Sequence, residues 1–169
     1  GLEAIELAKT LSVKALVNKV IANRSKPAVK GSLLRIDRDQ VADLIHRAPF
    51  TPTTDQLRAI DEIVADLRSP FPMERILSGD VGTGKSFTFM VPAAASHLAG
   101  ARVAIIAPSQ ILVDQLASEL SGLFFENPEK KYTSKAKVDI SSGIIVGTTA
   151  VLSAAKKEGV VFDLVIADE

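Results

Sequence analysis

Gly79-Asp80-Val81-Gly82-Thr83-Gly84-Lys85-Ser86 has the G-x-x-x-x-G-K-[ST] spacing of a phosphate-binding loop, and its flanks suit that reading. Before it, Arg75-Ile76-Leu77-Ser78 reads as a short buried strand. After it, residues 87–99, rich in Ala, Phe and Met, read as a helix. Such a loop needs glycine because several backbone N–H groups must turn onto one anion, with dihedrals that a Cβ obstructs. Lys85 then reaches the β- and γ-phosphates, the Ser86 hydroxyl suits Mg²⁺, and the helix beginning near Lys85 adds about half a positive charge at its N-terminus. The stretch predicts a nucleoside triphosphate site.

Outward from the loop, residues 49–169 alternate strand and helix. Strands are expected at 75–78, 102–107, 143–147 and 163–167, each a short and mostly apolar run of the kind covered on both faces. Helices are expected at 54–67, with Thr53 as cap, and at 85–99, 109–121 and 148–154. This rhythm predicts an α/β fold, a parallel sheet flanked by helices with ligands beyond the strands' carboxyl ends. Residues 1–48 read as a mildly basic helical linker or appendage, broken over residues 25–32, with a short helix capped by Asp37. The Leu164-Val165-Ile166-Ala167-Asp168-Glu169 terminus is an apolar strand ending in two carboxylates, the Walker B arrangement. Asp168 would hold Mg²⁺, and Glu169 would act as general base toward the attacking water.

Composition narrows the function classes. The chain has 169 residues, 47% hydrophobic and 24% charged, which suits one soluble core. With no cysteine, disulfides and thiolate metal sites are excluded. No apolar run approaches the roughly 18 residues of a membrane span, and the first residues do not resemble a signal peptide. The expected location is the cytoplasm. Net charge is zero, so bulk electrostatics do not argue for nucleic acid. His46 and His97 show no metal-ligand spacing.

The motifs together resemble the first motor domain of RecG-type superfamily 2 DNA helicases, with transcription-repair coupling translocases next. The resemblance rests on Pro49-Phe50, Thr53, Gln56, Ala59-Ile60, Glu62-Ile63, Met73-Glu74-Arg75-Ile76-Leu77 and the Gly-Asp-Val-Gly start of the loop. It continues through Ala107-Pro108-Ser109-Gln110-Ile111-Leu112, similar to motif Ia, and Val146-Gly147-Thr148-Thr149-Ala150-Val151-Leu152, similar to motif Ib. Ala167-Asp168-Glu169 is similar to the opening of motif II. The resemblance implies a P-loop NTPase of the RecA-like type that binds ATP and Mg²⁺ and acts on duplex or branched DNA in repair, replication or recombination. Lys85 and Glu169 would be catalytic. Gly79 through Ser86 would hold the phosphates, and Ser86 and Asp168 the metal. Gln56 either reads the adenine edge, since an amide both donates and accepts, or is a polar residue on a surface helix. Phe50 either stacks on the base or packs the start of the helix. Ser109, Gln110, Thr148 and Thr149 would meet the DNA backbone, and Ser109 and Thr148 equally suit helix caps.

Departures from the family pattern set further expectations. Ser109 stands for the usual Thr, Gln110 for Glu and Thr148 for a common His. The strand between motifs Ia and Ib is not evident, and Lys130, Lys131, Lys135 and Lys137 around Tyr132 form either a basic contact or a solvated loop. The chain stops inside motif II, so the strand that follows, a second RecA-like domain and its arginine finger are expected outside it. The sheet is therefore expected to be incomplete toward the C-terminus, with strand edges unpaired. The alternative class is a non-helicase phosphate-loop module, such as a kinase or GTP switch, or a catalytically inactive relative; no Asn-Lys-x-Asp base-reading motif is present.

Overall fold

In this computed structural model, residues 33–79, 82–124, 129–132, 139–140 and 143–168 are described. The elements in chain order are helices α1 (Arg38–His46), α2 (Thr54–Leu67) and α3 (Lys85–Leu98), strand β1 (Val103–Ile106), helix α4 (Gln110–Phe124), strands β2 (Glu129–Tyr132) and β3 (Ile144–Gly147), helix α5 (Ala150–Glu158) and strand β4 (Leu164–Ala167). All pairings are parallel, in the order β2-β3-β1-β4. The α/β expectation therefore holds.

Two-residue periodicity explains the layers. Val103 and Ile105 of β1, with Ile144 and Val146 of β3, enter the larger core beneath α1 to α4. Ala104, Ile106 and Ile145 point the other way, onto Ile140 and onto Val151, Ala154 and Ala155 of α5. At α1 and α2, side chains satisfy donors of the first turn. Asp37 accepts from Asp39 N–H ahead of α1. Thr53 and Gln56 form a reciprocal capping box at α2. Gly159, at φ 68°, closes α5 after Lys156 and Lys157 in its last turn. Leu34, Ile36, Val41 and Leu44 join the same core as α3, so residues 33–48 pack against the sheet-bearing part. The other residues read as the helical appendage, 1–32, lie outside the described residues.

Four sequence expectations require correction. The strand expected at 75–78 does not form, and the segment joins no ladder. Among the described residues β4 has β1 as its sole strand neighbour, and residues 75–78 do not add to its open edge. Side chains hold the segment instead: Arg75 donates to Asp66 at 2.7 and 3.0 Å and to Glu62 at 2.6 Å, and Met73 and Leu77 lean on the core. Ile76 is left 66% exposed. The strand between motifs Ia and Ib does form, as β2; Glu-Lys-Lys-Tyr is too charged to read as a buried strand, yet an edge position accepts such residues. The helix expected at 109–121 runs on to Phe124. The helix expected at 148–154 starts at Ala150 and runs to Glu158, because its charged final turn is solvated and needs no apolar period.

Ile105 is fully buried in the central strand whereas Val165 on β4 is 49% exposed. Ile105→Ala should cost about 2–5 kcal/mol of unfolding free energy, and Val165→Ala less than about 1 kcal/mol. Urea midpoints of the two variants measure this, and equal losses would contradict the layer assignment.

Candidate functional site

α3 carries no charged residue between Lys85 and His97, and its residues from Phe87 to Ser96 are all buried. It packs on β1, β3, β4, α1, α2 and α4. A helix enclosed on every side leaves only its ends for ligand chemistry. At the N-terminal end stands Gly84, in the left-handed region at φ 72°, with no side-chain cap on the helix. The first-turn N–H groups are thus not taken by a capping side chain, which is the arrangement that favours an anion. Thr88 reinforces the turn, its backbone N–H and hydroxyl both donating to Gly84 O at 3.3 Å.

The phosphate-loop glycines open onto a cleft of ≈ 690 Å³. Of the residues expected to contact nucleotide, Phe50, Gln56, Gly79, Gly82, Thr83, Gly84 and Lys85 line it. Ser86 does not line it; it sits half-buried in the first turn of α3. Asp80, Val81 and Glu169 lie outside the described residues. Phe50 packs edge-on against buried Phe87, with ring centroids 5.0 Å apart at 71°, and it lines the cleft as well. Gln56 is not a loose surface amide. Its Oε1 accepts from Thr53 N–H at 2.8 Å, and its Nε2 donates to Thr83 O at 2.8 Å.

Sequence reasoning missed Thr51, Thr53, Asp55, Ala59, Leu77, Ser78 and Thr88 as lining residues. Leu77 and Ser78 read as part of a strand, whereas the turn periodicity of α2 does signal Ala59, which is three residues from Gln56 and four from Asp55. Asp55 pairs with Arg58 at 3.0 Å.

The carboxyl ends of the parallel strands gather the remaining candidates. Asp168, directly after β4, donates its N–H to Ile106 O at 2.9 Å and is half-buried. Beside it β1 leads into Ser109, whose Oγ accepts from Leu112 N–H at 3.4 Å and so caps α4. The neighbouring β3 leads into Thr148 and Thr149, with Ala107 N–H bonded to Gly147 O at 2.9 Å. Thr148 is not the cap: Thr149 holds that position, without a side-chain cap bond. Ser109, Gln110 and Thr149 are exposed and Thr148 is half-exposed. Tyr132, the last residue of β2, is in register with Gly147; Lys135 and Lys137 lie outside the described residues. No group of three or more His, Asp or Glu side chains suited to a metal occurs among the described residues.

Comparison with known proteins is consistent with this geometry. The profile of the DEAD/DEAH box helicase family matches residues 53–169. The chain is 41% identical over 88 residues to "ATP-dependent DNA helicase RecG" of Staphylococcus aureus (strain N315), covering 52% of this chain and 13% of that protein. To the protein of the same name from Bacillus subtilis (strain 168) it is 37% identical over 95 residues, 56% of this chain and 14% of that one. Among solved structures, a hypothetical ATP-dependent RNA helicase from Sulfolobus tokodaii superposes with a TM-score of 0.59 at 19% identity, covering 79% of this chain and 41% of that one. The UvsW helicase of bacteriophage T4 gives 0.52 at 19%, over 83% and 54%. These two establish a shared fold.

Gly84 and Gly100 both have positive φ, but a Cβ at Gly84 would meet Gln56 Nε2 while one at Gly100 would meet nothing. Both Ala variants should carry backbone strain of about 1–2 kcal/mol. Gly84→Ala should lose about 1 kcal/mol more as the Gln56–Thr83 bond is displaced. Equal denaturation midpoints for the two would show that the amide does not lie against Gly84.

Proposed function

The chain belongs to the DEAD/DEAH box helicase family, and from that premise we propose that it is the ATP-binding part of a DNA-translocating motor. The observation that carries the proposal is the cleft: phosphate-loop glycines, Lys85, Gln56 and Phe50 line one space at the uncapped end of a buried helix. Triphosphate would settle on the loop N–H groups, with Lys85 neutralising charge at the γ-phosphate. The base would extend toward Phe50 and Gln56. Gln56 keeps a second N–H and a second lone pair beyond the bonds it already makes, enough to read an adenine edge.

The donor set suits Mg²⁺. Ser86 and Asp168 both offer oxygen, and with no cluster of three acidic or imidazole ligands among the described residues, the cation would complete its shell with phosphate oxygens and water, as Mg²⁺ prefers. When bound it would neutralise phosphate charge. Glu169, next in sequence after Asp168, would take a proton from the attacking water.

DNA is the proposed track because the RecG proteins, at 37% and 41% identity, are named DNA helicases. Branched or duplex DNA in repair, replication or recombination, and a cytoplasmic setting, come with that reading. Among the described residues no helix is long and apolar enough to cross a membrane. Ser109, Gln110, Thr148 and Thr149, at the ends of adjacent strands β1 and β3, would contact backbone phosphates through hydroxyls and helix N-termini. Such contacts carry no sequence preference, as a translocating motor requires. The matched stretch is 13–14% of the relatives' length. We assign the rest of the cycle to a second RecA-like domain supplying an arginine finger across the cleft, and take residues 49–169 as the motor domain of this chain.

Two outcomes test this. Fluorescent ATP with Mg²⁺ should bind saturably, and Lys85→Ala should abolish binding while circular dichroism stays unchanged; binding that survives the substitution would sink the assignment. ATP turnover by the chain alone should fall about 10³–10⁵-fold short of a complete motor, the worth of an arginine finger. Steady DNA-stimulated hydrolysis by the chain alone would show that no second domain is needed.

A further inference from the structure

A phosphate loop works only if its peptide planes face the right way, and one plane here is fixed from outside the loop. A trans peptide is planar, so the Thr83 C=O and the Gly84 N–H point in opposite directions. Gln56 Nε2 donates to Thr83 O at 2.8 Å across 27 residues of sequence. That bond directs the Gly84 N–H away from α2. The amide is itself oriented, because its Oε1 accepts from Thr53 N–H at 2.8 Å within the capping box. Glycine at position 84 leaves room for it, since any Cβ there would meet Nε2. The far end of the brace is rigid: Ile60, Ile63, Val64 and Leu67 bury one face of α2 in the core that holds α3.

We infer that Gln56 is a positioning residue for the phosphate loop, holding its Thr83–Gly84 peptide in the anion-binding orientation through Thr83 O whether or not a base is present. The inference rests on the phosphate-site reading above and adds to Gln56 a task separate from base recognition. A residue that only reads adenine affects nucleotides and leaves a base-free polyphosphate untouched. A residue that braces the loop affects both.

The test is a calorimetric titration of the full chain with inorganic tripolyphosphate and Mg²⁺, run beside ATP. Gln56→Glu keeps an acceptor for Thr53 N–H but faces Thr83 O with a second oxygen; Gln56→Met fills the space with no polar group. Both should weaken tripolyphosphate about tenfold and lower the melting temperature by only a few degrees, the size of one lost hydrogen bond at a half-exposed residue. Ala65→Gly loosens α2 at an exposed position outside the cleft lining but leaves the amide brace, and should change tripolyphosphate affinity less than about twofold. If both Gln56 variants bind tripolyphosphate as the unsubstituted chain does and lose ATP alone, Gln56 reads the base and the brace is overturned. An equal loss in Ala65→Gly overturns it too, since loosening of α2 would then explain the effect. An unsubstituted chain that binds neither ligand overturns the phosphate-site reading, and the brace falls with it.

Discussion

Burial of α3 is the constraint from which the rest of the molecule is arranged. Ten successive residues, Phe87 to Ser96, are withdrawn from water, so no face of the helix is available for a charged group. Polar atoms along it must be satisfied locally: Thr88 returns its hydroxyl to Gly84 O, and Ser96 donates to Pro92 O at 2.7 Å. Such a helix has one orientation once its neighbours are packed. Its N-terminus, with Gly84 and Lys85, is therefore fixed in space before any ligand arrives. Preorganisation of this kind makes backbone N–H groups effective, because little further ordering is needed on binding.

The sheet meets the complementary requirement. Strands covered on both faces need apolar residues at every position, and β1 and β3 supply them, with every residue of both buried. The outer positions are less demanding. β2 carries Glu129, Lys130 and Lys131, and β4 leaves Val165 half-exposed. Parallel geometry then sends the chain out of β1, β3 and β4 at one edge, which is why Ser109, Thr148 and Asp168 end up as neighbours despite their separation in sequence.

What the sequence made legible follows from how local each signal is. The bounds of α2 could be read to the residue because Thr53 and Gln56 form a cap three positions apart and the apolar period is regular. The glycine and lysine spacing at 79–86 could be read for the same reason, since it lies within eight residues. Strand identity at 75–78 was not, since Ile76 and Leu77 satisfy a local pattern while pairing depends on a neighbour elsewhere. β2 failed in the opposite sense, its charges hiding a strand that position alone permits. The bond from Gln56 to Thr83 spans the whole of α2 and the segment after it, and no periodicity announces it. Asp80, Val81 and Glu169 keep the roles their motifs imply, as residues of the proposed site.

Two cations near the loop show how the same charge is given different work. Arg75 sits between Asp66 and Glu62, and these hydrogen bonds, Asp66 first, raise its pKa further above the arginine value against a smaller opposing effect of burial. A guanidinium clasped by two carboxylates is spent on structure, anchoring the segment that enters the loop. Among the described residues Lys85 pairs with no carboxylate and one acid, Asp55, lines the cleft, where it is engaged by Arg58. An ammonium left without an internal partner, at the positive end of a helix with no side-chain cap, has its attraction available for a ligand. The chain has equal numbers of acids and bases, 20 of each, so affinity for phosphate cannot come from net charge. In the proposed site it would come from which cations are already paired: Arg75 lies among carboxylates, whereas Lys85 lies apart from those of the described residues.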